Sequence, residues 1–413
     1  MQPDSNDCQQ ALDIMATKPA IAPSTAPSTA ASAAQQDWAA IRSRFPVLER
    51  KTYLNSCAYG ALATDVITAL QNYINDRLAK GTDWNYWVAR NDGARLAVAA
   101  FLGAHTDEVA VTSSASAGIN SIASALTFDQ PRNKVVISEF EFPTNAQIWY
   151  AQELRGARVV RVPEENGYIP IENFEAAIDE ETLIVAITQV CFRNGARLDI
   201  PAIVEVARSK GALVLVDGYQ GLGTFNFDVR KAGPDFVVGG MVKYLLGTAG
   251  IGFLYVRKAL IESLVPTVTG WFAQADIFAM DTTRYDPSPT ARRFEMGTPP
   301  VVNCYAAEAG LKVLTEVGLP AIEERIAELT AAIIEEAKSA GYSLAVPEDP
   351  ARHGALITLR THDENALVSC LEGKNIVTSC RFGNLRVSPH FYNDHGDVET
   401  LFRALRQKRH LLV

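Results

Sequence analysis

Two side chains stand out for what they could do together. Asp217 closes the apolar run ALVLVD and is followed by Gly218, Tyr219 and Gln220; Lys243 comes 26 residues later, inside GGMVKYLLGTAGIGFLYV. An acid at such a strand end is open to three uses: a helix cap, a metal ligand or the partner of a buried cation. A lysine flanked by apolar residues and glycines loses solvation unless it is used, and burial lowers its pKa toward a nucleophilic amine. In isolation such a lysine more often snorkels to the surface. Here Gly239 and Gly240 precede it and Gly247, Gly250 and Gly252 follow, so that backbone can approach a planar ligand closely. An acid at one strand end and a lysine after the next suit pyridoxal phosphate. The lysine would form the Schiff base, the carboxylate would keep the pyridine nitrogen protonated, and the ring would take up the electron pair of a carbanion at an amino-acid Cα.

Such a pair needs a scaffold that brings strand ends side by side. From Trp38 onward short β-branched runs alternate with amphipathic helices. The strands expected are Val109–Thr112, Lys134–Ser138, Arg158–Val162, Leu183–Thr188, Ala212–Val216, Asp235–Val238 and Gly252–Val256. Thr64–Lys80 reads as a helix capped by Thr64 and stopped by Gly81. This alternation predicts an α/β fold with a central, mainly parallel seven-stranded sheet covered on both faces. The pattern changes near Pro300. A long helical stretch from Ala306 to Ala340, broken at Gly318-Leu319-Pro320, leads to strands at Ala355–Arg360, Ile376–Ser379 and Leu385–Ser388, then a last helix after Asp397. That is a smaller α+β domain.

Composition narrows the remaining choices. The chain has 413 residues, 48% of them hydrophobic, enough for more than one domain. Its 38 Lys and Arg against 47 Asp and Glu, a formal charge of −9, disfavour a general nucleic-acid or anionic-membrane binder. No apolar run is long enough to span a bilayer. The six cysteines are scattered without a CxxC or a Cys/His pairing, which predicts reduced cytoplasmic thiols, with neither a disulfide framework nor a metal site. Residues 1–36 include IAPSTAPSTAASAA and carry Asp4 and Asp7 where a secretory signal is basic; they read as a disordered leader.

Seven motifs in order, YLNS, TSSASAGIN, EFEFPTN, VLVDGYQ, GGMVKYLLGTAGIGFLYV, RFEMGTPP and LRVSPHFYN, resemble the class V branch of the fold-type-I pyridoxal-phosphate enzymes. That branch includes cysteine desulfurases, selenocysteine lyases, isopenicillin N epimerase-like proteins, kynureninases and aminotransferases. The resemblance runs from Trp38 to the C-terminus. It implies a segment 37–62 joining the small domain, a large cofactor-binding domain over 63–300, and a small domain over 301–413. It further implies that Lys243 carries the cofactor, that Asp217 partners the pyridine nitrogen, and that Gln220 bonds the phenolic oxygen. Phe142 matches the stacking position, and Ser114, Ala115 and Ser116 match the phosphate cradle at a helix N-terminus. Gly297 and Thr298 match a segment that reaches the phosphate from a neighbouring subunit, hence a homodimer. Arg386 matches the arginine that grips the substrate carboxylate.

The chain departs from the desulfurase pattern. Phe142 replaces the stacking histidine, Val242 and Gly240 replace a His and a Ser before the lysine, and no histidine lies between 106 and 352. Lys243 is then the leading proton shuttle. The Arg-x-Gly-x-x-Cys loop of the persulfide route is missing. Cys380 reads as a packed or merely exposed thiol more than a reactive one, and Cys191, nearer the expected cofactor pocket, is a lesser candidate for a substrate contact. Tyr59, Trp84, Trp87, Phe192, Arg193 and Trp271 are candidate pocket walls, suited to a bulky side chain, with dimer packing as the plainer reading.

The expectation is therefore a homodimeric, cytoplasmic enzyme that binds an α-amino acid as an external aldimine and most readily transfers its amino group. Alternatives are a Cβ-cleaving carbon–sulfur lyase or kynureninase-like hydrolase, an epimerase, or a cofactor-binding sensor without turnover.

Overall fold

A computed structural model describes residues 36–413; the expected leader, 1–36, lies outside this range but for Gln36. The short strand Thr52–Tyr53 (β1) comes first. Seven strands then build one sheet: Val109–Thr112 (β2), Lys134–Ser138 (β3), Arg158–Val162 (β4), Thr182–Thr188 (β5), Leu213–Asp217 (β6), Phe236–Gly240 (β7) and Gly252–Val256 (β8). Their order is β2-β8-β7-β6-β5-β3-β4. β8 is antiparallel to both neighbours and the other pairs are parallel. This is the expected α/β architecture. The register Thr188↔Asp217 and Asp217↔Val238 carries the ladder through the acid, so β6 includes Asp217 where a strand ending at Val216 is expected.

The strands are apolar throughout because both faces are covered, and alternate residues feed different cores. Val109, Val111 and Val136 join one core with Val98 and Leu102 of helix Trp84–Leu102 and Ile203 and Val204 of helix Ile200–Ser209. Ala110, Val135 and Ile137 join the other, with Ile119 and Ile122 of helix Ala115–Ala125. The helix expected over Thr64–Lys80 is present and stops at Gly81, whose φ is +57°. Thr64 is not its cap: Ala63 holds that position without a side-chain bond, and Asp65 in the first turn pairs with Arg44 at 2.7 Å.

Beyond Pro300 two helices, Val301–Val317 and Leu319–Ser339, break at Gly318 as expected. The first packs on helices Thr64–Lys80 and Trp84–Leu102; the second joins a separate core with the last strands. Ile357–Arg360 (β9), Ile376–Val377 (β10), Ser379–Arg381 (β11) and Asn384–Val387 (β12) follow. β11, β12 and β9 form an antiparallel sheet, while β10 pairs in parallel with β1. The single strand expected over Ile376–Ser379 is therefore divided at Thr378, its ends serving different sheets. The last helix is His395–Arg406, starting earlier than expected: Asp394 is its cap, and Asp397 sits in the first turn bonded to Arg42 at 2.7 Å. Among the described residues no helix is long and apolar enough to cross a membrane.

Candidate active site

Three adjacent parallel strands, β5, β6 and β7, end on the same side of the sheet, where open α/β sheets present ligand-binding groups. Asp217 is the last residue of β6 and is buried. One carboxylate oxygen accepts from the Tyr219 N–H at 2.9 Å. Burial raises its pKa above the ordinary carboxylate value; the Tyr219 N–H and the charge of Lys243 oppose that rise without cancelling it.

Lys243 follows β7 by three residues. Its Nζ stands 4.4 Å from the centre of the Tyr219 ring and 5.7 Å from that of Phe142. Tyr219 can lie there because residue 240 is glycine: a Cβ at that position would fall 2.3 Å from the Tyr219 hydroxyl. Among the described residues Nζ has neither a hydrogen bond nor an ion pair within 4 Å. Burial draws the amine down to about 8; Cys57 and Asp217 pull upward and the Arg386 charge pushes further down. At pH 7 about a tenth of such an amine is neutral, against well under a thousandth at the ordinary lysine value. Acylation of Lys243 by acetic anhydride, followed by mass spectrometry of its peptide, is expected to rise through pH 8 and level off above pH 9. The sign follows from the neutral amine being the nucleophile. A rate still climbing at pH 10 contradicts the assignment.

Around this amine the chain gathers other expected residues. The Gln220 amide Nε2–H donates to the Cys57 carbonyl at 3.0 Å, while its Oε1 is buried without a partner. Tyr59 is half exposed, and the next residue, Gly60, donates to the Val242 carbonyl at 2.8 Å, fastening that loop to the lysine segment. Phe142 meets Phe192 edge to face at 5.0 Å. Arg386, on β12, is 4% exposed, yet no carboxylate lies within 4 Å of it among the described residues. Its Nη1 donates to the Phe192 carbonyl at 3.0 Å, and its Nη2 and Nε donate to the Ser379 hydroxyl at 2.9 and 3.2 Å. A buried guanidinium held only by neutral acceptors is poised for an anion.

Ser114 caps helix Ala115–Ala125, its hydroxyl accepting from Ala117 N–H at 3.1 Å. The N–H groups of Ala115 and Ser116 have no intrahelical partner, as at any helix start. Gly252 of β8 presses on this turn: a Cβ there would lie 2.8 Å from Ser114 C and 3.0 Å from Ala115 N. Ser116 Oγ–H donates to Thr144 Oγ1 at 3.3 Å, joining the turn to the loop that carries Phe142. Gly297 and Thr298 line a cavity of about 200 Å³ with Thr112, Ser113 and Ala117, on the far side of the same turn.

Other residues are placed elsewhere. Trp271 stacks edge to face with Trp84 at 5.5 Å and with Phe272, and none of these contacts reaches Lys243, Asp217 or Arg386. Trp87 is buried beside Tyr73 and Tyr86. Cys191 is fully buried and Cys380 half-buried, and burial pushes both thiols up, away from the reactive thiolate. The five described cysteines are all free, and no group of three His, Cys, Asp or Glu among the described residues could hold a metal ion.

Sequence reasoning passed over four supporting residues. Glu141 is buried beneath Phe142; it accepts from Ser138 Oγ–H, from Asn145 Nδ2–H at 2.7 Å and from Thr188 N–H at 2.9 Å. Burial lifts it to about 7 against the pull of these donors, and the nearby Asp217 charge adds to the rise. Asn145 in turn accepts from Trp149 Nε1–H at 2.8 Å. The legible signal is Glu, Asn and Trp at steps of four. Ser379 orients Arg386, and His390 donates from Nε2 to the Tyr244 carbonyl at 3.0 Å while its Nδ1 accepts from Phe391 N–H. Burial drags His390 down to about 4, so it is a neutral strut behind the lysine segment.

A family model described as aminotransferase class-V matches residues 52–401. An uncharacterised aminotransferase of Bacillus subtilis is 34% identical over 352 residues, 85% of this chain and 93% of that protein. A kynureninase of Deinococcus radiodurans is 32% identical over 322 residues, 76% of each chain. Among solved structures, the apo cysteine desulfurase of Thermococcus onnurineus superposes with a TM-score of 0.84 at 21% identity, covering 91% of this chain and 99% of that one.

Proposed function

Since this chain belongs to the class-V aminotransferase family, we propose that it transfers the amino group of a free α-amino acid, with Lys243, Asp217 and Arg386 as its working groups. It is an enzyme, and its cofactor is pyridoxal 5′-phosphate. The residues of the cleft fit that group. The Gln220 Oε1 is an orphaned buried acceptor, Asp217 is a buried carboxylate with a single N–H partner, and glycine at 252 keeps the Ser114–Ser116 turn tight. Pyridoxal phosphate, when bound, supplies an aldehyde that condenses with amines and a pyridinium that takes up the electron pair of a bond broken at Cα.

The chain's own part is then positional and protonic. Lys243 presents a largely desolvated amine that would hold the cofactor covalently and, as a free amine, would hold or move the proton at Cα. Asp217 holds the proton on the pyridine nitrogen. Gln220 would hold the phenolic oxygen, the Phe142 ring would cover the cofactor, and Ser114, Ala115 and Ser116 would offer N–H groups and hydroxyls to the phosphate. Arg386 would fix the substrate carboxylate and so orient the substrate's Cα.

The single observation carrying this reading is Arg386, a buried cation with no anion beside it among the described residues, in the same cleft as the desolvated amine of Lys243. Its test is Arg386→Ala. We expect KM for the amino acid to rise by about two to three orders of magnitude while the visible band of bound cofactor is unchanged. An unaltered KM rejects the assignment. Reaction type is read from product balance: a new amino acid formed from an added keto acid marks transfer. Release of alanine without an acceptor marks Cβ cleavage, a reading that the 32%-identical kynureninase favours.

The same reading makes the protein a homodimer in a reducing, cytoplasmic setting, divided into a cofactor domain over 63–300 and a smaller one over 301–413, with 37–62 attached to the latter. Exposed Ile67, Ile74 and Leu78 along helix Thr64–Lys80 and the exposed Trp84 support a second copy, and the five free cysteines support the compartment. Gly297, Thr298 and Trp271 would serve the partner's site.

A further inference from the structure

The hairpin that carries Arg386 has an unusual tip. Its register pairs Arg381 with Asn384 and leaves Phe382 and Gly383 as a two-residue turn, with φ of +52° and +78°. Two positive φ values make a type I′ turn, whose first position favours Asn, Asp or Gly. A bulky aromatic in the left-handed region is an outlier. Glu364 holds the turn, accepting from Gly383 N–H at 2.7 Å and Asn384 N–H at 3.0 Å. The ring itself is 69% exposed. It gains little burial to offset its backbone.

What the ring does meet is the cleft. Its centre is 6.2 Å from that of Phe192, edge to face, and the Arg193 guanidinium lies 5.7 Å over it. Phe192 is 5.0 Å from Phe142, whose centre is 5.7 Å from Lys243 Nζ. Three rings thus stand in series from the amine to Phe382, the middle one buried and the outer two open to solvent. The carbonyl of the middle one holds Arg386, and the outermost is on the same hairpin as Arg386.

We propose that Phe382 is the specificity-determining side chain of this site, the outer end of an aromatic wall of Phe142, Phe192 and Phe382 that selects amino acids with a large apolar or aromatic side chain. This rests on the reading that Arg386 takes the substrate carboxylate. With the carboxylate there, a side chain directed outward runs along the wall. Arg386 meets the carbonyl of Phe192 at 3.0 Å and the Phe382 ring stands 6.2 Å beyond the Phe192 ring, so a methyl group held at Arg386 falls short of Phe382 and an aromatic one approaches it.

The test uses the cofactor-loaded enzyme and two unreactive carboxylates, 3-phenylpropionate and propionate, with affinities from titration calorimetry. Phe382→Asn supplies the Asn-Gly turn that this geometry favours, so its melting temperature is expected to equal or exceed that of the wild type. In the wild type 3-phenylpropionate is expected to bind at least roughly tenfold tighter than propionate, and Phe382→Asn to lose most of that ratio with propionate affinity unchanged. Equal affinities in the wild type, or an unchanged ratio in Phe382→Asn, overturn the proposal and leave the Arg386 reading intact. If neither carboxylate binds, the Arg386 reading fails and takes this one with it.

Discussion

Lys243→Ala is expected to lose at least about a thousandfold in turnover and to show no visible band on mixing with pyridoxal phosphate, while melting no lower than the wild type. The two halves of this result separate function from structure. A side chain that held the fold together would cost stability when removed. Lys243 has no hydrogen bond or ion pair among the described residues, and burial draws its amine down to about 8. Taking away a desolvated amine without a partner relieves a cost. Thermal melting of the apo-protein and absorbance of the loaded one give both numbers. A destabilised variant that still develops the band would show that the lysine is structural and another amine holds the cofactor.

Asp217→Asn is the second large effect. Asparagine keeps an oxygen for the Tyr219 N–H and a similar shape, so cofactor is expected to bind within about tenfold of the wild type. It would leave the pyridinium without the carboxylate that pairs with it, a loss worth about 3–5 kcal/mol, which puts the fall in kcat at about two to four orders of magnitude. Stability of the apo-protein is expected to move the other way. The folded-state pKa of Asp217 is raised, chiefly by burial, so the fold binds its proton more tightly than the unfolded chain does. The stability this confers is present below the ordinary carboxylate pKa and is lost as pH rises through the folded value. At neutral pH the charge is a cost, and Asp217→Asn removes it. Denaturant melts at pH 5 and pH 8 check this: the gain should be larger at pH 8, and a variant less stable at both contradicts it.

How much of this was readable in the chain depended on whether the signal was local. Asp217 and Lys243 were visible because each ends or follows an uninterrupted apolar strand, and buried strands have a plain period and composition. The sheet and its covering by helices followed from the same pattern. Arg386 was different. Its strand has only four residues, and only the resemblance marked it; its burial and its lack of a counter-ion among the described residues needed the structure. Glu141 was quoted within a motif but not recognised as a buried acid, since the same motif holds Glu139, which is half-buried and paired with Arg161. Trp87 and Trp271 looked alike as aromatic walls, yet one is core and the other stands with Trp84, because aromatics report burial without saying where. Phe382 was silent. Its significance lies in a turn register that single-strand periodicity does not encode.

β1 offers a consequence for synthesis. Thr52 and Tyr53 find their partners in Ile376 and Val377, and Asn55 bridges to Ser388, more than three hundred positions downstream. As the ribosome delivers the chain from its first residue, the main sheet can close while this early segment still waits, unpaired, for β10 and Ser388, which flank the hairpin that bears Arg386. Anchoring β1 and completing the carboxylate grip are thus one late event, and a chain released before it would hold a finished sheet without a competent catalyst.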